Sequence, residues 1–218
     1  MTLRRISPPS VGNRLRLLCI GAHSDDLEIG CGGTILRWLG EYDRVDVAWV
    51  VASAQGERGD EAKASAKRLL RSAASKRIVL GDLRDAYFPA EFARLKEFLA
   101  GVRNTFDPNV VLTHHLDDRH QDHRLVGELT WQLWRDHTIF EFEIPKYDAD
   151  LGRPNLFVPL TAQQVRRKLQ HLATSFPTQR AKSWYQPETF RSLLVLRGLE
   201  CNAPSGFAEA FHARKLVL

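Results

Sequence analysis

Apolar runs of strand length alternate with amphipathic segments of helix length along the chain, and this alternation limits the folds open to it more than any other feature. "RLRLLCIG" (14 to 21), "RVDVAWVVA" (44 to 52), "RIVL" (77 to 80) and "NVVLTH" (109 to 114) read as strands. Between them, "GGTILRWLGEY", "GDEAKASAKRLLRSAAS" and "AEFARLKEFLAGVRNTF" read as helices, the second turning residues 62, 66, 69, 70 and 73 toward a sheet. After His123, "RLVGELTWQLWRDH" continues the pattern as a helix, with Trp131 and Trp134 as core residues, and "TIFEFEIP" as a further strand. Strand and helix in turn is the order of an α/β fold whose sheet is largely parallel. The expectation is a Rossmann-like layered fold in a single domain over 1–218, a length that buries a sizeable core. "PKYDADLGRPNLFVPL" (145 to 160), rich in Pro, Gly and Asp, reads as a long loop of the kind that often carries function.

Composition excludes several classes. The 31 Lys and Arg against 26 Asp and Glu leave +5, and the cations are spread along helical stretches such as Arg58, Lys63, Lys67, Arg68 and Arg71. Solvated helix faces explain them, and no dense basic run suggests nucleic acid. "MTLRRISPPS" lacks the apolar stretch of a signal peptide, and no run of about 18 apolar residues occurs, so a soluble, cytoplasmic protein without a membrane span is expected. Three cysteines, at 19, 31 and 201, show no CxxC spacing, which argues for packing and against a disulfide framework.

"GAHSDDLEIGCGGT" (21 to 34) follows the first strand, where open α/β sheets collect ligands. His23 to Glu28 read as a turn, and Gly30, Gly32 and Gly33 as backbone open to close approach before a helix at "TILRWLG". A dinucleotide would want amides facing its pyrophosphate, whereas Asp25, Asp26 and Glu28 would repel that anion. Magnesium paired with two aspartates has little use for His23. Zinc takes His and Asp together, and a catalytic zinc needs three protein ligands with a fourth position open. A second cluster, "THHLDDRHQDHR" (113 to 124), follows another strand and holds four of the eight histidines. His137, His171 and His212 stand outside both clusters and read as structural or surface residues.

"AHSDDLEIGCGGT" with "HQDH" resembles the PIG-L/LmbE-like family of zinc-dependent N-deacetylases, whose usual pattern is AHPDD, an acidic residue and glycines, then HxDH. "QGERG" (55 to 59), "LRDAYFP" (83 to 89) and "GFAEAF" (206 to 211) are looser points of similarity, and Ser24 stands where the family usually has proline. The resemblance implies His23, Asp26 and His123 as ligands of Zn2+ and Asp25 as the general base acting on water. It implies His120 as an imidazolium facing the oxyanion and Asp122 as a carboxylate that orients or charges an adjacent imidazole. Arg58 and Asp85 match positions where the family contacts sugar hydroxyls. Whether Asp25 or His120 returns a proton to the leaving amine stays open. His114, His115, Asp117 and Asp118 read equally as partners behind the ligands or as caps of the helix near Arg124. The implied activity is removal of acetyl from a small-molecule N-acetylated amino sugar of glucosaminyl type. Hydrolysis of a non-sugar amide and a non-catalytic nucleotide- or metal-binding module are the alternatives. The oligomeric state, homo-oligomer included, and the choice among zinc, iron, cobalt and manganese are not legible in the sequence.

Overall fold

The computed structural model describes residues 12–216, so "MTLRRISPPS" and the two ends of the expected domain lie outside the described residues. Five strands alternating with four helices come first: β1 (Arg14–Gly21), α1 (Asp26–Glu41), β2 (Arg44–Val51), α2 (Gly56–Leu69), β3 (Ser75–Leu80), α3 (Phe92–Arg103), β4 (Val110–His114), α4 (Gln121–Leu133) and β5 (Thr138–Phe142). They are followed by β6 (Leu156–Pro159), α5 (Ala162–Ser175), α6 (Pro187–Glu200) and β7 (Ala208–His212). In space the strands run β3-β2-β1-β4-β5-β7-β6. The first five are parallel, and β7 pairs antiparallel with both β5 and β6. The chain moves outward from β1 to β3 and then returns to the other side of β1 with β4, which makes the seam between β1 and β4 the point where a crevice opens.

Strand periodicity divides the interior in two. Leu15, Leu17 and Cys19 of β1 enter one core with residues of α1, α2, α5 and α6, while Leu18 and Ile20 enter the other with residues of α3 and α4. Each such side chain, fully buried, contributes about 1.5–3 kcal/mol. Cys19 and Cys31 are buried, and burial pushes both thiols well above the ordinary range. Trp134 is fully buried, whereas Trp131 is only partly so and donates its indole N–H to Glu141. Among the described residues no helix is long and apolar enough to cross a membrane.

Two expectations are corrected. The expected loop from 145 to 160 ends in β6, whose Leu156–Pro159 pair with β7 and extend the sheet. The glycines lie inside α1, which already begins at Asp26, and Gly30 and Gly33 serve packing. A Cβ on Gly30 would come within 2.3 Å of Phe142 Cδ2, and one on Gly33 within 2.4 Å of Leu160 Cδ1 and 2.8 Å of Glu209 Oε1. Glu209 uses that approach: its oxygens accept from the amides of Gly33 at 2.8 Å and Thr34 at 2.6 Å. Lys168 completes the arrangement with its ammonium 2.5 Å from both Glu209 and the Ile29 carbonyl. A buried ion pair from α5 and β7 thus seats on the backbone of the first helix.

Candidate metal centre

Asp25 stands at the N-cap of α1, a position where Asp normally accepts from the first turn, but it makes no such bond. Its Oδ1 lies 3.1 Å from Arg58 Nη2, and its Oδ2 is buried with no partner. Burial, reinforced by the charge of Asp26, pushes its carboxyl up to about 6. A local capping rule is broken where the carboxylate is wanted free.

The next residue faces the two imidazoles. His23 Nδ1 lies 3.1 Å from His123 Nε2, and the Asp26 oxygens lie 3.5 Å from each ring, Oδ2 toward His23 and Oδ1 toward His123. A tetrahedral ion with bonds of about 2.0–2.1 Å has donor atoms about 3.3 Å apart, so each separation is of the size such an ion needs, although the two from Asp26 run to different oxygens. The outer nitrogens explain why the inner ones point inward. His23 Nε2 is 3.2 Å from Asp122 Oδ2 and 3.0 Å from Asp85 Oδ1, and His123 Nδ1 is 3.0 Å from Asp118 Oδ2. With its outer nitrogen against a carboxylate, each ring turns its other nitrogen inward. Two imidazole nitrogens and a carboxylate therefore meet, a donor set that would fit a zinc-like cation taking the place of the proton His23 carries.

The charges follow from the same contacts. Burial alone would lower the His23 pKa, but the bonds to Asp122, Asp26 and Asp85 hold it well above its usual value. Burial and the neighbouring His114 lower His123 to about 4. Burial works against ionised Asp26, yet His123 and His114 keep its carboxyl well below the usual range.

Each expected residue can now be located. His23, Asp25, Asp26, His120, Asp122 and His123 come together at the ends of β1 and β4, with Arg58 and Asp85 at the rim. Arg58 bridges Asp25 and Asp85, the latter contact at 3.2 Å. Half-exposed Asp85 is lowered to about 2, chiefly by its bond with His23. Asp122 touches the imidazole of His23, and its two oxygens also take the amides of Ala86 at 2.7 Å and Phe88 at 3.1 Å. Ala86 adopts φ 65°, a left-handed conformation unfavourable for alanine that turns its amide onto Asp122. His120 caps α4 by accepting the Asp122 amide at Nδ1, so its proton sits on Nε2 and the ring is a neutral donor; burial and His23 lower its pKa. That geometry differs from an imidazolium, which has no lone pair with which to accept.

Asp118, left open between cap and partner, is the carboxylate behind His123 and also accepts the His120 amide at 2.8 Å. His114 is fully buried, stacks on His123 with ring centres 4.0 Å apart, and brings Nε2 within 3.1 Å of Asp26. Asp117 is turned to solvent, and His115 bonds Glu141 instead of the cluster. Sequence reading missed the Arg58 contact with Asp25 and had no signal for Lys146, which lies 2.9 Å from Asp118.

A largely parallel α/β sheet with His and Asp side chains gathered at its switch point defines a class of α/β proteins with a candidate metal centre where strands end. More narrowly, a family model described as PIG-L, GlcNAc-PI de-N-acetylase, matches residues 18–134, and the chain belongs to that family. The chain is similar in fold to N,N'-diacetylchitobiose deacetylase from Pyrococcus horikoshii, with 21% identity, a TM-score of 0.67, and 90% of this chain and 82% of that one covered. It is similar also to GalB, the 4-carboxy-2-hydroxymuconate hydratase from Pseudomonas putida KT2440, at 20% identity and a TM-score of 0.70, covering 94% and 98%. A third similar structure is the A40926 pseudoaglycone deacetylase Dbv21, at 17% identity and 0.67, covering 92% and 97%. At these identities the likeness is one of fold, and the fold serves a hydratase as well as deacetylases.

Proposed function

We propose that the protein is a zinc-dependent N-deacetylase acting on an N-acetylated amino sugar of glucosaminyl type. The observation that carries this reading is the inward convergence of His23 Nδ1, His123 Nε2 and Asp26 beside a buried, unpartnered oxygen of Asp25. His23, Asp26 and His123 would hold the ion, which when bound polarises an amide carbonyl and acidifies water. The chain's own groups do the rest. Asp25, held by Arg58 on one oxygen, takes a proton from the attacking water on the other. His120 offers its Nε2–H to the developing oxyanion, a neutral donor fixed by its bond to the Asp122 amide. Asp25, once protonated, and His120 are the two groups able to return a proton to the departing amine.

Arg58 and Asp85 form a paired cation and carboxylate at the mouth of the site, an arrangement suited to vicinal hydroxyls, and this supports the sugar reading. Family membership supports the deacetylase reading over a binding module, and the free Asp25 oxygen supports it too, since holding a metal needs no base.

Acetate release from a panel of N-acetylated amino sugars by the zinc-loaded protein tests the activity. Asp25→Asn is expected to keep its metal and lose most turnover; near-normal activity in that variant would remove the proposed base. Equal turnover of simple acetamides and N-acetylglucosaminides would replace the sugar by a non-sugar amide.

A further inference from the structure

The histidine-rich connection between β4 and α4 is held from a distant part of the chain. Lys146, in the connection between β5 and β6, has a side chain only 9% exposed, with its ammonium 2.9 Å from Asp118 Oδ1 and 2.5 Å from Asp150 Oδ2. Both carboxylates are buried as well. Asp118 holds the His123 ring through Oδ2 and the His120 amide through Oδ1, and Asp150 accepts the Arg119 amide at 2.8 Å. One ammonium therefore stands between two buried carboxylates that between them fix the backbone at 119 and 120 and the ring at 123.

We propose that Lys146 is a positioning residue for the metal centre: by bonding Asp118 and Asp150 at once it holds the Asp118 carboxylate aimed at His123 Nδ1, which turns His123 Nε2 toward the ion. This inference rests on the reading of His23, Asp26 and His123 as metal ligands. Its physical basis is the fate of the carboxylates without the cation. Two buried carboxylates left without the cation between them repel, so one would turn away. An Asp118 that turned would stop accepting from His123, and the ring would be free to rotate and carry Nε2 out of place. A compact ammonium fits the task, since it can face both carboxylates and the Ile144 carbonyl, 3.5 Å away, from one point.

The test is zinc affinity, measured by competition with a chromophoric chelator on the whole protein, with thermal melting of the metal-free form as a check of folding. Lys146→Met is expected to weaken zinc binding by about 10- to 100-fold, the usual loss when a group behind a ligand is removed. Lys146→Arg should recover most of that affinity. Adding Asp150→Asn to Lys146→Met should recover part of it by removing one of the opposed charges, a rescue that a merely structural tie would not give. Should the methionine variant not fold, Lys146→Gln takes its place in the same series. Affinity within about twofold of wild type in the neutral variant would overturn the proposal, as would failure of both rescues. Wild-type protein that binds no zinc would instead overturn the metal reading on which the proposal rests.

Discussion

The two segments that bring donors to the centre are anchored in opposite ways. The turn from β1 into α1 is short and closed by its own bonds, the His23 amide donating to Asp26 at 2.7 Å and the Ile29 amide to the Asp25 carbonyl at 3.1 Å, while α1 behind it is seated through its glycines on Phe142, Leu160 and Glu209. The connection from β4 to α4 is longer, and its shape depends on partners remote in sequence, Lys146 and Asp150 above all. One segment is a rigid shelf and the other a flap fastened from outside. The lesson is that a site can be symmetric in its chemistry, one imidazole backed by a carboxylate on each side, and asymmetric in what makes it stable.

The largest effect should ignore that asymmetry. Removing either imidazole, by His23→Ala or His123→Ala, takes away one of three donors, and elemental analysis of purified protein should show occupancy falling from about one divalent ion per chain to a small fraction in both. Full occupancy in both variants would dissolve the centre, and loss in only one would show that His114 or His120 serves in place of the other, since each lies within reach of the same donors.

A smaller effect separates the shelf from the flap. Gly33→Ala puts a methyl against Leu160 and Glu209, so it should cost about 1–3 kcal/mol in denaturant unfolding, the usual range for an overfilled core. Gly101→Ala, in α3 with open space beside it, should cost nothing comparable. Equal stability of the two variants would mean that α1 is not pinned where the contacts place it.

The smallest expected effect is one of pH and concerns Glu143, which follows β5 and ties the start of the outer connection to Arg197 and to the Gly152 amide. Burial would raise its carboxyl, but bonds from His212 and Arg197 hold it below the ordinary value of 4.5. A carboxyl depressed in the folded state adds stability that is present above its unfolded pKa and is lost as pH falls through the folded one. Glu143→Gln should therefore be less stable than wild type near neutrality, with the gap in melting temperature closing as pH falls below about 4.5. A gap that stays constant with pH would show that the carboxylate charge is not what matters there.

The parallel strands were legible because each is an apolar run with turn residues at its ends, and the cluster of candidate ligands because His and Asp gather where two of those runs stop. What escaped has a physical reason in each case. Gly30 and Gly33 look alike whether a ligand or a side chain approaches, and only the positions of Phe142, Leu160 and Glu209 show that it is a side chain. Asp122 precedes His123 in sequence, but on α4 its side chain turns to His23, a contact that no local spacing encodes. Nothing around Lys146 in "IPKYD" distinguishes it from a solvated lysine until the carboxylates are seen on both sides. β6 was hidden for another reason: four residues containing a proline at an edge carry too little pattern to stand out from a loop.

The seat of Glu209 on α1 bears on how the protein is made. Gly33 and Glu209 are 176 residues apart, so the helix that supplies Asp26 receives one of its buried contacts only when almost the whole chain has left the ribosome. Contacts of such long range must be closed against chain entropy before they repay it, which slows assembly and leaves early segments waiting. A nascent chain that has completed β1 to β5 would hold all of His23, Asp26 and His123 yet lack the strand that clamps their shelf. The candidate donors would then be present in the chain before the contact that seats their helix.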